Sequence, residues 1–167
     1  MSDLKVRPAH ADDAQAICRI YNQGIEDRVA TLETELRTPE ERRHWLASRS
    51  PRHPVIVAEA ADARVAGWGS LNVFNAREAY RFVADFSIYV ARDHRGTGVG
   101  SVLLTRLLEL GREHGYHKLV LSAFPTNASG MALYTKLGFR TVGVYEEQGL
   151  LDGRGVDTII MEKLLDR

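Results

Sequence analysis

The chain of 167 residues has the length of one domain and is long enough to bury a substantial core. Lysine plus arginine and aspartate plus glutamate both number 22, so the formal net charge is zero, which argues against nucleic acid or an anionic membrane surface as a partner. Cys18 is the single cysteine, which excludes an intrachain disulfide. The sequence shows no apolar leader and no stretch approaching about 18 apolar residues. Together with the single cysteine, this predicts a soluble, cytoplasmic protein.

The first third of the chain predicts one strand and two helices. Residues 4–8 form a short apolar strand that ends in proline, and Asp12 and Asp13 can cap the helix that follows. Cys18 lies beside the apolar stripe of that helix, and we interpret it as a small buried residue because no basic group is arranged near it in sequence. Residues 22–38 have a looser pattern, typical of a connection or of the wall of a substrate pocket.

A second helix and a hairpin follow. The sequence TPEE at 38–41 predicts a helix start with an N-cap threonine, a proline in the first turn and a capping box, and the helix should end near Ser48. Two short apolar segments, 55–58 and 65–71, predict a pair of strands joined by a turn. Residues 72–81 then connect this hairpin to the central strand.

The central segment, 85–101, begins as a strand. Two sets of residues alternate and should point to opposite faces of the sheet, namely Phe86, Ile88 and Val90 on one face and Asp85, Ser87 and Tyr89 on the other. A glycine-rich turn follows, and then leucines at helical spacing. Strand, glycine turn and helix together favour anion binding, because the free N–H groups of the first helical turn and the helix dipole both attract phosphate.

The spacing within the turn excludes two common phosphate motifs. Gly96, Gly98 and Gly100 are spaced by two, unlike the dinucleotide fingerprint G-x-G-x-x-G, and no lysine precedes Ser101 as a Walker A motif requires. Arg92 and Arg95 place positive charge at the same end of the strand. A loop with purely structural glycines is the less favoured interpretation.

The remainder of the chain predicts a strand, a helix and two strands. Residues 118–123 form an apolar strand, Asn127 caps a helix that Gly138 ends, and 139–145 and 156–164 form the last two strands. Strands alternate with helices in the second half but run together in the middle, so the fold class is α/β with a mixed sheet.

The motif R-x-x-R-G-x-G-x-G after a strand resembles the pyrophosphate-binding motif of the GNAT superfamily of N-acetyltransferases. The resemblance implies one GNAT domain over residues 1–167, with the acyl-CoA N-acyltransferase fold and a splayed central mixed sheet flanked by helices. It implies acetyl-CoA as cosubstrate, entering where the fourth and fifth strands part, and no metal. The six histidines show no spacing typical of a metal site.

The resemblance also implies which residues contact acetyl-CoA. The pantetheine arm would pair with the backbone of Ile88, Tyr89 and Val90. The pyrophosphate would bind the loop residues Arg95, Gly96, Thr97, Gly98, Val99, Gly100 and Ser101. The segment NASGMALYTKLGF is similar to the GNAT segment in which an asparagine contacts the CoA arm and a tyrosine lies near the thioester sulfur, here Asn127 and Tyr134. An ordinary N-cap and a core aromatic are the structural alternatives for these two residues.

Within GNAT, the chain most resembles the phosphinothricin N-acetyltransferase group. Arg77 to Tyr80 matches its R-x-A-Y segment, and the central strand matches E-x-S-x-Y-V with Asp85 in place of glutamate. Some members of the group carry histidine or phenylalanine at the position of Tyr134. The resemblance implies an acceptor such as phosphinothricin, methionine sulfone, methionine sulfoximine or arsinothricin, and substrate contacts from Arg77, Tyr80 and Glu33.

The chemistry gives these residues roles. Only a free amine attacks a thioester, so Asp85 is the candidate general base, directly or through a water, and Tyr134 the donor to the departing thiolate. Arg77 offers a forked cation to a carboxylate or phosphinate. The structural alternative for Asp85 is an ion pair with Arg77 or Arg81, and Glu33 is the next candidate base. Cys18 lies far in sequence from the thioester-binding strand, so we expect no acetyl-cysteine intermediate.

Other functions stay open at this point. The acceptor could be a protein N-terminus, a lysine, a polyamine or an aminoglycoside, and a non-catalytic acyl-CoA-binding module is the alternative from another class. The acid at position 85 and Tyr134 beside an intact glycine loop favour an enzyme. Relatives dimerise with the acceptor site near the subunit interface, so the resemblance also implies a homodimer.

Overall fold

The computed structural model describes residues 3–166, and within them it contains one seven-stranded sheet and four α-helices. The strands are β1 (Lys5–Pro8), β2 (Val55–Glu59), β3 (Val65–Val73), β4 (Val83–Val90), β5 (Lys118–Ala123), β6 (Arg140–Leu151) and β7 (Arg154–Leu164). The helices are α1 (Ala14–Asp27), α2 (Pro39–Ala47), α3 (Val99–Glu113) and α4 (Ala128–Lys136).

The sheet is mixed and splayed, which confirms the fold expected from the sequence. Its strand order is β1-β2-β3-β4-β5-β7-β6; β4 and β5 are parallel, and every other neighbouring pair is antiparallel. The β4–β5 pairing runs only from Val83 opposite Lys118 to Asp85 opposite Val120. From Phe86 onward the two strands diverge, so the backbone edge of β4 faces a gap at the centre of the sheet.

The two faces of the sheet carry separate apolar clusters. Helix α3 covers one face with Leu103, Leu104 and Leu107, all completely buried. It packs very close to β3, since a side chain at Gly67 would place its Cβ 2.7 Å from a methyl group of Val99. Helices α1 and α2 cover the other face over Trp68, which is almost fully buried. Removal of apolar surface from water on both faces stabilises the three-layer arrangement of helix, sheet and helices.

The element boundaries show where local patterns mislead. Helix α1 continues to Asp27, although residues 22–27 had a loose pattern, because Gly24 and Ile25 are buried against the sheet. The cap at Thr38 forms as predicted, with its Oγ1 accepting from the backbone N–H of Glu41 at 3.2 Å. Strand β6 extends well beyond residue 145, since shifts in its register interrupt the alternation by which a strand is recognised.

The start of α1 differs from a simple aspartate cap. The Asp13 carboxylate accepts from the backbone N–H of His10 at 2.7 Å and from the Arg7 guanidinium at 2.8 and 2.9 Å. These bonds hold the pKa of Asp13 below its usual range against the opposing effect of burial. Asp12 is exposed, so Asp13 alone links the chain entering α1 to β1.

Candidate active site

A cavity of about 400 Å³ lies where β4 and β5 diverge, between the glycine-rich loop and α4. The residues lining it that the sequence analysis assigned to acetyl-CoA or to catalysis are Ile88, Tyr89, Val90, Arg95, Gly96, Gly98, Val99, Gly100, Ser101, Asn127 and Tyr134. Thr97 of the loop and Asp85, the candidate base, are not among the residues that line the cavity. The Thr97 side chain is exposed and donates to the carbonyl of His94 at 2.5 Å.

The cavity has further walls that the motifs did not identify. They are Ile20 and Gly24 of α1, Val29 and Ala30 of the α1–α2 loop, His94 beside the glycines, and Ser129, Gly130 and Leu133 of α4. The loose pattern of residues 22–38 did indicate a pocket wall. Nothing in the sequence assigned the individual apolar positions to it.

The glycine loop has the shape of an anion cradle. Gly96 and Gly98 have φ angles of +78° and +92°, a conformation that residues with a Cβ rarely adopt. A Cβ built at either position would meet no protein atom within 4 Å, so the space above the loop is open to a ligand. Gly98 is the N-cap of α3, and the N–H groups of the first helical turn have no acceptor within the helix. The loop therefore fits a diphosphate.

The loop arginines are paired with carboxylates of α1. Arg92 donates to Asp27 at 2.8 Å and to Glu26 at 3.1 Å, and Arg95 donates to Asp27 at 2.7 Å. These bonds lower the pKa of Asp27 to about 2. The two guanidinium groups thus fasten the loop to the end of α1, which leaves the backbone N–H groups as the main donors to a phosphate.

Asp85 lies at the last paired position of β4 before the gap. Burial raises the pKa of its carboxyl group to about 6, and one hydrogen bond, from Asn72 Nδ2 at 3.5 Å, opposes that rise. Among residues 3–166 no cation lies within 4 Å of the carboxylate, while Arg81 pairs with Glu78 at 3.3 Å. The described contacts therefore do not include the structural ion pair with Arg77 or Arg81.

Two tyrosines, Tyr89 and Tyr134, line the cavity, and Tyr89 lies near the Asp85 carboxylate. Burial raises the pKa of the Tyr89 hydroxyl, and the neighbouring Tyr21, Asp85 and Tyr134 raise it further. Burial also raises the pKa of Tyr134, whose ring packs edge-on against Phe86 with centroids 6.0 Å apart. Both hydroxyls are therefore protonated at neutral pH and available as hydrogen-bond donors.

The three residues assigned to the acceptor do not line the cavity. Arg77 is exposed, with its backbone N–H bonded to Asn75 Oδ1 at 2.9 Å. The Tyr80 ring lies edge-on to Phe74 with centroids 5.7 Å apart. Glu33 is exposed and pairs with Arg37 at 3.0 Å. Contact of these residues with an acceptor stays a prediction.

Cys18 is a buried structural residue, as its sequence context indicated. Its thiol donates to the carbonyl of Arg37 at 3.2 Å, and burial raises its pKa. Over residues 3–166, no group of three or more His, Cys, Asp or Glu side chains is placed to hold a metal ion. Within the same range, no helix has the length and apolar character needed to cross a membrane.

Comparisons with known proteins agree with this geometry. The model of the Acetyltransferase (GNAT) family matches residues 16–139. An L-methionine sulfoximine/L-methionine sulfone acetyltransferase of Pseudomonas paraeruginosa is 31% identical, over 96% of this chain and 94% of its own.

Two solved structures share the fold. A GNAT superfamily phosphinothricin acetyltransferase from Sinorhizobium meliloti in complex with acetyl-CoA is 29% identical, with a TM-score of 0.92 over 98% of this chain and 89% of that one. A ribosomal-protein-alanine N-acetyltransferase from Brucella melitensis is 34% identical, with a TM-score of 0.92 over 96% of this chain and 99% of that one. This chain therefore belongs to the acetyltransferase (GNAT) family and is an acetyl-CoA-dependent N-acetyltransferase.

Proposed function

We propose that this protein transfers the acetyl group of acetyl-CoA directly to the amino group of a small amino-acid-like acceptor. Phosphinothricin, methionine sulfone, methionine sulfoximine and arsinothricin are the acceptors in question. The observation that carries the proposal is the half-buried Asp85 carboxylate, without a cationic partner among residues 3–166, near Tyr89 at the end of the β4–β5 pairing. The methionine sulfoximine and phosphinothricin acetyltransferases described above support this class of acceptor.

The first task of the site is to hold acetyl-CoA, which supplies the thioester that the amine attacks. The backbone N–H groups at the glycine loop hold the diphosphate, and the free edge of β4 from Ile88 to Val90 pairs with the pantetheine arm. The Asn127 side chain accepts from the N–H of Gly130 at 3.1 Å and so caps α4. Because this cap fixes the first turn of α4, the same residue can line the cavity without losing its structural role.

Asp85 removes the proton from the incoming ammonium group. An α-amino group is largely protonated at neutral pH, and a carboxylate with a pKa near 6 is ionised there yet more basic than an ordinary aspartate. Aspartate is one methylene shorter than the glutamate of the related group. We therefore assign a water molecule to the path between the carboxylate and the amine.

The remaining groups complete the reaction. The Tyr134 hydroxyl, kept protonated by burial, donates to the sulfur as the thiolate leaves. Arg77 is exposed and has no carboxylate within 4 Å among the described residues, so its guanidinium is free to bind the acceptor's carboxylate or phosphinate. Acetylation removes the charge of the amine on an inhibitory amino-acid analogue, which is the basis for assigning a detoxifying role in the cytoplasm.

A thiol-release assay with acetyl-CoA and a panel of amines tests the acceptor class. Phosphinothricin and methionine sulfone should release CoA faster than spermidine, because Arg77 selects an anionic acceptor. A peptide that begins with alanine belongs in the same panel, since the Brucella melitensis structure is described as a ribosomal-protein-alanine N-acetyltransferase. A higher kcat/KM for the peptide or for spermidine than for every amino acid would overturn the proposal.

The same proposal includes a homodimer with the acceptor site near the subunit interface. Strand β6 is the last strand of the sheet, and it exposes Val142, Val144 and Leu150 by 52%, 49% and 73%. Exposed apolar side chains on an edge strand are typical of an interaction surface. Light scattering should give twice the mass of the chain, and Leu150→Asp should shift it toward the monomer. A fully active monomer in the parent protein would exclude the dimer.

A further inference from the structure

A polar cluster on β3 fixes the orientation of the Asn72 amide. Asn72 Oδ1 accepts from Arg49 Nη2 at 3.1 Å and from Ser70 Oγ at 3.0 Å. A guanidinium group can only donate, so the atom it contacts must be the amide oxygen. The amide nitrogen of Asn72 therefore points the other way, toward β4.

On β4 that nitrogen meets two acceptors. Asn72 lies directly opposite Asp85 in the β3–β4 register, and Ser70 lies opposite Ser87. Asn72 Nδ2 donates to Ser87 Oγ at 3.1 Å and to Asp85 Oδ1 at 3.5 Å. The Asn72 amide therefore connects Arg49 by hydrogen bonds to the Asp85 carboxylate on the neighbouring strand.

Arg49 is held firmly enough to act as the anchor. Its Nε donates to the carbonyl of His53 at 3.1 Å, its Nη2 also donates to the carbonyl of Leu71, and its guanidinium carbon lies 4.5 Å from the centre of the Trp45 ring. Among residues 3–166 no carboxylate lies within 4 Å of it, and the residue is half-buried. Its hydrogen bonds are thus directed at neutral oxygens, of which the Asn72 amide oxygen is the one linked to the active site.

We propose that Arg49 and Ser70 are positioning residues that act through Asn72, whose amide nitrogen holds the Asp85 carboxylate in place and favours its ionised form. This inference rests on the proposed role of Asp85 as the base. Residues of β3 and of the segment after α2 thereby influence the ionisation of the Asp85 carboxyl group.

The groups around Asp85 explain why the Asn72 amide should affect the ionisation of its carboxyl group. The polar groups next to it are Asn72, with Arg49 behind it, on the β3 side, and Ser87 on β4. Tyr89 of β4 also lies near the carboxylate, and Tyr21 and Tyr134 are neighbours of Tyr89. From β5 the paired residue is the apolar Val120. Burial opposes ionisation of the carboxylate, and the Asn72 N–H is the described hydrogen bond that opposes burial.

The test compares the pH dependence of kcat/KM for the parent, Asn72→Ala and Asn72→Asp. The aspartate variant keeps an oxygen for Arg49 and Ser70 but places a second carboxylate beside Asp85. The acidic limb of the profile should move to higher pH in the order parent, alanine, aspartate. For Asn72→Asp we expect about one pH unit, which is about a tenfold lower kcat/KM on that limb, with the KM for acetyl-CoA unchanged.

A second pair of variants removes only one hydroxyl group each, so these proteins are expected to fold. Ser70→Ala removes one donor to the Asn72 oxygen and should shift the limb in the same direction by less. Ser48→Ala is the control, because the Ser48 hydroxyl donates to the carbonyl of Trp45 at 2.9 Å and, among residues 3–166, has no bond to the Asn72 cluster. A carboxyl titration of Asp85 by carbon NMR in the same proteins reads its pKa without relying on turnover.

The outcomes separate the two proposals. An identical Asp85 titration in the parent, Asn72→Ala and Asn72→Asp would overturn the positioning role. If the titration moves with Asn72 but Asp85→Asn retains parental activity, the amide controls the carboxyl group while the general-base proposal fails. A shift of both the titration and the kinetic limb supports the inference.

Discussion

The two halves of the active site are built in different ways. The proposed acetyl-CoA half consists largely of backbone from a few continuous segments, namely the free edge of β4, the glycine loop, the start of α3 and the first turns of α4. The proposed acceptor half consists of exposed side chains outside the cavity, from the α1–α2 loop and the β3–β4 connection, namely Glu33, Arg77 and Tyr80. A cosubstrate site made of backbone depends on local conformation, whereas the acceptor site depends on which side chains distant segments bring together.

The largest effect should follow from breaking the backbone of the loop. Valine at Gly98 requires a φ near +92° that a β-branched residue rarely adopts, at a cost of about 1–3 kcal/mol, and its side chain would enter the space above the loop. We expect the affinity for acetyl-CoA to fall by about a hundredfold or more, measured by titration calorimetry.

Gly115→Val is the matched control for this change. Gly115 also has a positive φ, of +80°, and open space around it, but it lies after α3 and away from the cavity. It should lose stability without losing acetyl-CoA affinity. Equal loss of affinity in both variants, or unchanged affinity in folded Gly98→Val, would contradict a backbone-built phosphate site.

On the acceptor side, Arg77→Ala should raise the KM for the amino-acid acceptor. Loss of a hydrogen-bonded charge pair is worth about 1.5–3 kcal/mol, which is roughly a ten- to hundredfold change in KM. The KM for acetyl-CoA should stay constant. Arg81→Ala is the control, since Arg81 pairs with Glu78 at 3.3 Å. Steady-state kinetics that show equal effects for both arginines would remove Arg77 from the acceptor site.

Tyr134 lies where the two halves meet, and its effect should be smaller. Tyr134→Phe keeps the ring contacts with Phe86 and Phe139 but removes the donor to the sulfur. We expect kcat to fall about tenfold with little change in either KM. Tyr145→Phe, at a tyrosine 54% exposed on β6, serves as the control. An unchanged kcat in Tyr134→Phe would move the proton donor elsewhere.

The smallest effect concerns folding. Burial raises the pKa of Asp85 in the folded protein to about 6, so the folded state binds this proton more tightly than the unfolded state. Relative to Asp85→Asn, the parent should therefore lose stability as the pH rises from about 4 to about 6. At pH 7–8 the variant should be more stable by about 1 kcal/mol, since the half-buried carboxylate keeps part of its hydration, and near pH 3 the two should match. Denaturant unfolding at the two pH values measures the difference.

The contrast between the halves also explains what the sequence could reveal. The glycine loop, the alternation of β4 and the cap at Asn127 are local patterns, and the structure confirms the strand, the loop and both helices that follow from them. The family resemblance supplied the splay between β4 and β5, which no local pattern contains. The ion pairs of Arg92 and Arg95 could not be predicted, because their partners lie on α1, about 65 residues earlier in the chain.

The polar cluster around Asp85 could not be predicted for a similar reason. Asn72 and Asp85 meet only through the β3–β4 register, and Arg49 reaches Asn72 only because α2 ends beside β3. In sequence, Asn72 and Arg49 are an ordinary strand residue and an ordinary loop residue. Their joint effect on one carboxylate requires the tertiary structure.

The central claim is that Asp85 accepts the proton of the amine, and the most direct measurement is the pH profile of kcat/KM for Asp85→Asn. As a base, Asp85 should contribute about a hundredfold or more at neutral pH, and the loss should shrink as rising pH deprotonates the amine without help. The affinity for acetyl-CoA should stay nearly constant. Parental activity at neutral pH, or a loss of the same size at every pH, would contradict the claim.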